Sequence, residues 1–315
     1  MIGKRNLDYK GKSSGISPAE MREAMQYIDL HVHSNCSDGT CEPEELVELA
    51  LKANLVAIAV TDHDTVDGVE RAIRAAKNTN LQVIPGVELS CEYCVSPEKK
   101  KEIHILGYNL DYRQPALLKA LDDIARERDE RNKKMCRNLQ KAGYPIDYDS
   151  LTARFGDNIL TRAHFARFLL EKKAIPSIDF AFKEILAQDG PYFVMRHYLT
   201  PEDGIELIKE AGGIPVLAHP LLYKLSVSEL RELIRRLKSC GLRGIEAIYS
   251  RNRGTDEAFV RKLADESGLF ITGGTDFHGS NKPDLELGRG EGNLFVPVVL
   301  LQNLKSDSQK IPNHE

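Results

Sequence analysis

The stretch Asp29-Leu30-His31-Val32-His33-Ser34-Asn35-Cys36-Ser37-Asp38-Gly39-Thr40 holds two histidines two residues apart and then an aspartate in a small polar loop. On a strand, a spacing of two turns both imidazoles to one side. Two imidazoles and a carboxylate suit a divalent metal such as zinc, manganese or iron. Taken alone, the stretch also fits one buried, satisfied histidine beside a solvated one. The positions of the other histidines and carboxylates decide between these.

Those positions depend on the elements that carry them. Residues 27–31 form a short strand, and a helix opens at Pro43, a favourable first-turn residue. Val56-Ala57-Ile58-Ala59-Val60 is a continuous apolar run, as expected of a strand buried on both faces. A helix follows with Val69, Ala72, Ile73 and Ala76 on one face, then strands over 81–87 and 102–108. From 112 to 196 the alternation stops. This span reads as a helical insertion, with helices over 115–142, 162–173 and 178–187. Alternation then resumes, with helices over 201–211, 226–239 and 256–267 and strands over 214–218, 244–248 and 269–272. Thr200 and Pro201 provide the N-cap and first turn of the first of these helices. Residues 293–300 offer a further edge. Strands alternating with helices imply a parallel sheet with crossover helices. An α/β fold follows, read as a distorted seven-stranded βα barrel with a helical insertion; an open doubly wound sheet is the alternative. No glycine-rich dinucleotide fingerprint follows any strand. The domain reading is an extension over 1–26, a barrel over 27–111 and 197–304, the insertion or cap over 112–196 and a disordered tail over 305–315.

On this frame the metal-type residues fall into place. His31 and His33 end the first strand, His63 the second, Glu88 the third and His219 the fifth. His104 lies in the fourth strand and Glu246 in the sixth, while Asp276 and His278 follow the seventh. Barrel active sites form at the C-terminal ends of the strands, so residues far apart in sequence converge on one rim. Histidines with purely structural roles have no reason to track strand ends.

Composition narrows the classes further. The chain has 315 residues, 42% hydrophobic and 29% charged, typical of a water-soluble globule. No apolar run is long enough to span a bilayer and no charged-then-apolar leader opens the chain, which places it in the cytoplasm with no membrane partner. A net charge of −4 argues against general nucleic-acid binding by bulk electrostatics. Among six cysteines, Cys91-x-x-Cys94 is an isolated pair, and Cys36, Cys41, Cys136 and Cys240 show no framework spacing. They read as reduced bystander thiols, with a redox switch as the alternative.

The motifs together resemble the PHP family, named for polymerase and histidinol phosphatase. Asp29-x-His31-x-His33-Ser34-x-x-Ser37-Asp38-Gly39 resembles its first motif and Thr61-Asp62-His63-Asp64 its second. Pro85-Gly86-Val87-Glu88, Ala218-His219-Pro220 and Gly274-x-Asp276-x-His278 resemble the others, in order, over about 27–280. The resemblance implies two to three divalent metals (Mn, Zn or Fe). One site would use His31, His33, Glu88 and Asp276, a second Glu88, His104 and His219, and a third Asp38, His63 and His278. Glu88, Asp276 and His219 would be catalytic, with Glu88 bridging, and Thr61 and Asp62 would orient their neighbours.

Leu160-Thr161-Arg162-Ala163-His164 and Gly212-Gly213-Ile214-Pro215-Val216 resemble the branch containing nucleoside 3',5'-bisphosphate phosphatases and a 5'-to-3' exoribonuclease. That branch more often carries Thr-Arg-Pro-His, and Ala163 departs from it. The function implied is hydrolysis of a nucleotide phosphomonoester, or of short RNA from its 5' end, by attack of a metal-bridging hydroxide. Histidinol-phosphate hydrolysis and a non-catalytic metal-binding module are the alternatives. Arg162, His164, Arg196 and Arg251 are the expected substrate contacts, because a guanidinium suits phosphate. No obligate protein partner is evident, and Asp64, His164 and a metal-bound water all stay open as the general acid.

Overall fold

A computed structural model describes residues 26–156, 159–187, 190–194 and 199–308, with side chains through 304. Strands β1 (Tyr27–Val32), β2 (Leu55–Val60), β3 (Gln82–Ser96), β4 (Lys99–Tyr108), β5 (Ile214–Leu217), β6 (Gly244–Tyr249), β7 (Phe270–Gly274) and β8 (Val296–Pro297) form one sheet. Its order is β7-β6-β5-β4-β3-β2-β1-β8. The backbone N–H of Asp276 donates to the His31 carbonyl at 2.9 Å, and that of His33 to the Phe277 carbonyl at 3.0 Å. These bonds bring the two ends of the seven-strand run together into a nearly closed barrel. Gly274 permits the approach, since a Cβ there would sit 2.4 Å from the Cβ of His31. The doubly wound alternative is thereby excluded.

Two features differ from the sequence reading. An eighth strand exists: β8 pairs antiparallel with β1 through Tyr27↔Pro297 and Ile28↔Val296, realising the possible edge over 293–300. The sheet is also not wholly parallel. β4 runs antiparallel to both β3 and β5, and β3 and β4 form a long hairpin. The link between them is too short for the crossover a parallel pair requires.

Helices α1 (Pro43–Lys52) and α2 (Asp67–Ala76) cover the outer face of β1 and β2, where Leu46, Val47, Ala50 and Ala72 pack on Ile58 and Val60. Inside the barrel, Ile28, Leu30, Ala57, Ala59, Leu106, Tyr108 and Val216 form a second core, and the Tyr108 hydroxyl donates to the Leu30 carbonyl at 2.9 Å. β2 thus buries alternate residues on both faces, which explains its unbroken apolar run.

Between β4 and β5 lie α3 (Pro115–Lys141), α4 (Tyr148–Phe155), α5 (Arg162–Glu171) and α6 (Ile178–Phe180), the last continued by a π turn, Ala181–Ile185. They share a core of their own, including Met135, Leu139, Leu151, Phe165, Leu169 and Ile185. α7 (Pro201–Glu210), α8 (Val227–Cys240) and α9 (Asp256–Ser267) return to the barrel. α7 opens with Pro201 at its start and a reciprocal capping box between Thr200 and Asp203. α10 (Leu301–Ser308) covers the first residues of the stretch expected to be disordered. The expected N-terminal extension lies almost wholly outside the described residues.

Candidate active site

Five imidazoles converge on one carboxylate. Glu88 Oε2 lies 3.1 Å from His31 Nε2, 3.1 Å from His33 Nε2 and 3.2 Å from His63 Nδ1. Its Oε1 lies 2.8 Å from His104 Nδ1 and 2.9 Å from His219 Nε2. Asp276 Oδ1 approaches His33 Nε2 at 3.4 Å and His31 Nε2 at 3.6 Å, and Asp38 Oδ1 approaches His278 Nε2 at 3.2 Å. All nine ligand positions expected from the sequence meet here. Donor atoms of His33, Asp38, His63 and His278 lie within 4.8 Å of one another, as do those of His31, His33 and Glu88, and of His63, Glu88 and His104. His33 therefore reaches two of these groups, and His63 reaches Glu88 as well as Asp38, a tighter sharing than the expected sets, which share only Glu88.

Local backbone builds this convergence. Asp62 accepts from Ser34 N–H at 2.7 Å, Ser34 Oγ at 2.6 Å and Ser37 Oγ at 2.6 Å, clamping the loop between His33 and Asp38. Thr61 Oγ1 accepts from Val32 N–H at 3.1 Å. Asp29 accepts from the N–H groups of Thr275 and Gly288, each at 2.9 Å. Asp64, His219 and Asp276 hold positive φ angles of 53°, 20° and 56°. Such backbone is uncommon for residues other than glycine and gathers at functional sites.

Glu246 and Tyr249 support the ligands without facing the cavity. Glu246 Oε1 lies 3.0 Å from His31 Nδ1, and its Oε2 accepts from His219 N–H at 2.8 Å. The Tyr249 hydroxyl donates to Asp276 Oδ2 at 2.8 Å. A carboxylate behind a histidine ligand fixes its ring and raises its basicity.

The charge balance suits cations. Burial opposes protonation of His31, but Glu88, Glu246 and Asp276 outweigh it and hold the ring well above its ordinary value. Burial likewise opposes His33 and His104, yet their carboxylate neighbours raise them to about 9 and about 10. Burial dominates at His63, lowered to about 3. Burial would raise Glu88 and Asp38, but the surrounding histidines hold both carboxylates ionised. Several buried atoms, both ring nitrogens of His33, Nδ1 of His63, Nδ1 of His219 and Oδ1 of Asp38, make no aligned hydrogen bond, although three of them lie within 3.2 Å of a carboxylate or imidazole partner. Buried polar atoms are normally satisfied. A divalent metal is the partner that these atoms fit.

Metal uptake is therefore expected to release protons. His33 and His104 hold theirs at neutral pH without metal, and both must be neutral to ligate. Manganese affinity should weaken as pH falls from 9 toward 7, by roughly tenfold per pH unit for each proton displaced. Titration of manganese into metal-free protein in weak buffer reads the release; a pH-independent affinity would contradict it.

Residues 29–186 match the model of the PHP domain. The chain is 35% identical over 250 residues to a 5'-3' exoribonuclease of Haemophilus influenzae, covering 79% of this chain and 89% of the relative. The chain belongs to the PHP family. It is also 32% identical over 270 residues to a 3',5'-nucleoside bisphosphate phosphatase of Chromobacterium violaceum, covering 85% of this chain and 92% of that one. A solved amidohydrolase from Chromobacterium violaceum with bound sulfate superposes with a TM-score of 0.80 at 30% identity, covering 89% of this chain and 96% of that one. The chain is a metal-dependent phosphoric ester hydrolase.

Above the His/Asp/Glu cluster lies a cavity of about 760 Å³ between the barrel rim and the helices that separate β4 from β5. Arg162 lines it, with Nη2 3.1 Å from Glu102 Oε1 and Nη1 donating to the Leu186 carbonyl at 3.3 Å. Arg251 also lines it but is engaged by Asp284 at 2.5 Å and Glu291 at 2.8 Å. His164 does not line it. This corrects the expected substrate contact: its Nδ1 accepts from Thr161 N–H at 3.0 Å, closing the capping box of α5, and its buried ring meets Phe155 edge-on. Burial lowers His164 to about 4, so it is neutral at pH 7 and is no cation for a phosphate. Arg196 and its neighbour His197 lie outside the described residues.

Three cations of the cavity were not foreseen. Arg128 and Arg131 on α3 are 5% and 4% exposed and line it, and Arg128 pairs with Asp64. Lys282, beyond β7, lines it and reaches Asp276 Oδ2 at 2.6 Å. The arginines carried a signal: Leu117, Leu121, Arg128, Arg131, Met135 and Leu139 share the buried side of one helix. An arginine in the apolar register of a long charged helix points into the protein. Nothing local marked Lys282.

Proposed function

We propose that this chain removes a phosphate from a nucleoside 3',5'-bisphosphate, or degrades short RNA from the 5' end. The observation that carries the reading is the union of one buried His/Asp/Glu cluster with a cavity walled by guanidinium groups of the inserted helices. The relatives named for these two reactions support it.

In this reading two to three divalent ions, manganese, zinc or iron, are held by His31, His33, Asp38, His63, Glu88, His104, His219, Asp276 and His278. Bound there, they would lower the pKa of water toward 7 and neutralise charge on the scissile phosphate. The chain supplies the rest. Glu88, His219 and Asp276 act at the reacting phosphate, with Glu88 between the ligand groups. Glu246, Tyr249 and Asp62 hold the ligands in orientation. Arg162 contacts a substrate phosphate, with Arg128 and Arg131 adding positive potential to the cavity wall. We assign Arg196 the same kind of contact, and Arg251 a weaker one because two carboxylates already engage it. Residues 112–196 are read as a substrate-binding cap on the barrel. No helix among the described residues is long and apolar enough to cross a membrane. All six cysteines are free, which fits a reducing compartment, and we assign the reaction to the cytoplasm.

Product release by manganese-loaded protein tests this, read as inorganic phosphate from the two small monoesters and as mononucleotide from the RNA, whose phosphodiester cleavage frees no inorganic phosphate. Adenosine 3',5'-bisphosphate, a 5'-phosphorylated oligoribonucleotide and histidinol phosphate are compared under one condition. Higher kcat/KM on either of the first two is the expected result. Preference for histidinol phosphate would overturn the nucleotide reading, and no release from any by metal-loaded protein would overturn the catalytic one.

A further inference from the structure

One carboxylate of the cavity has no part in the function above. Glu102 precedes His104 by two residues on β4, so both side chains face the cavity. Its Oε1 lies 3.1 Å from Arg162 Nη2 and 3.4 Å from His104 Nε2. The other ring nitrogen of His104, Nδ1, is the one turned to Glu88, at 2.8 Å. A continuous path therefore runs from the first residue of α5 through Glu102 and His104 to the centre of the cluster. The Glu102 side chain is 11% exposed and that of Arg162 21%, so this is not a loosely solvated surface pair.

We infer that Glu102 is a positioning residue with two charges. It occupies Nε2 of His104, which leaves Nδ1 directed to the metal cluster, and it fixes the guanidinium of Arg162 on the cavity wall. The Leu186 carbonyl holds the same guanidinium at Nη1, so two acceptors set its plane. A flexible arginine loses rotamer freedom when it binds a phosphate, and one already held loses less. The inference rests on Arg162 as a phosphate contact. It adds that a carboxylate of the barrel sets that contact and that the same carboxylate sets a ligand.

The two duties separate chemically. A glutamine at 102 still accepts through its carbonyl oxygen, so it can serve His104, but it carries no charge for Arg162. The test uses full-length manganese-loaded protein with adenosine 3',5'-bisphosphate, reading kcat, KM and bound manganese by elemental analysis. E102Q is expected to keep its manganese and its kcat while raising KM about tenfold, the scale of one charge-assisted hydrogen bond. R162A is expected to raise KM at least as far, and E102Q/R162A no further than R162A. E102A, which deserts both partners, is expected to lose manganese as well.

KM effects of E102Q and R162A that multiply in the double variant would overturn the inference, as would E102Q with an unchanged KM. An unchanged KM in R162A would instead overturn the reading of Arg162 itself. If E102Q fails to fold, E102D, with its shorter reach, enters the same cycle with R162A.

Discussion

Replacing Glu88 by glutamine is expected to lower kcat by at least about a thousandfold, beyond the effect of one ordinary electrostatic contact, because it disturbs every ligand group at once. The side chain keeps its size, so the fold should survive in a core where shape matters. Its chemistry does not survive. An ionised carboxylate offers acceptors on both oxygens, and here the two oxygens face five imidazole nitrogens at 2.8 to 3.2 Å. An amide puts two N–H donors where one oxygen stood and removes the negative charge. Bound metal and kcat should fall together. A variant with full metal content and more than about a tenth of the activity would remove Glu88 from the reaction.

Arg128→Met is expected to cost about 3 to 5 kcal/mol of stability, the range for stripping one partner from a buried ion pair. Asp64 is 1% exposed and Arg128 5%, and the pair joins the rim of the barrel to the long inserted helix α3. Without the guanidinium, Asp64 keeps the Ser90 N–H at 2.8 Å but loses the Arg128 charge. Methionine fills much of the same volume, so the loss reports charge more than a cavity. Denaturant unfolding of metal-loaded protein measures it. As a contrast, Arg154→Met removes an exposed pair with Glu171 and should cost no more than about 1 kcal/mol. Equal, small losses in both variants would show that Asp64 finds another partner.

Much of the site could be read from the sequence because a strand end is a local pattern. His31, His63, Glu88 and His219 each follow a short apolar run, and the barrel then gathers such ends on one rim. His104 was the exception to that pattern, and in the structure Glu88 also lies within its strand, because β3 runs on to Ser96. In a parallel strand the position of His104 would face the barrel interior. The reversed direction of β4 lifts it to the rim, opposite Ser90 and two residues beyond Glu88. The clue was available: Ser96-Pro97-Glu98-Lys99 leaves no room for a crossover helix. His164 misled for a different reason. Thr161-x-x-His164 has the spacing of a capping box, with histidine where glutamate or glutamine is usual, so a short-range duty resembled a ligand duty. Arg128 and Arg131 were hidden by their neighbours, because a helix with so many charges reads as solvated until its buried face is traced. Tyr249 escaped because orienting a ligand leaves no periodic mark, whereas Glu246, named among the metal-type residues, stands behind His31 and His219.

The meeting of β1 and β7 bears on how the protein reaches its final shape. Glu88 and His104 belong to one hairpin and find each other at short sequence separation, so their half of the cluster can form early. The seam is the opposite case. Asp29 and Thr275 are 246 residues apart, and few backbone bonds cross there. His31 and His33 stand on one side of that seam and Asp276 and His278 on the other. An ion held across the seam would close a long loop as a cross-link does, where only a few backbone bonds join the two sides. A metal held by these residues would thus also act as a clasp on the barrel, adding to the few backbone bonds that close it.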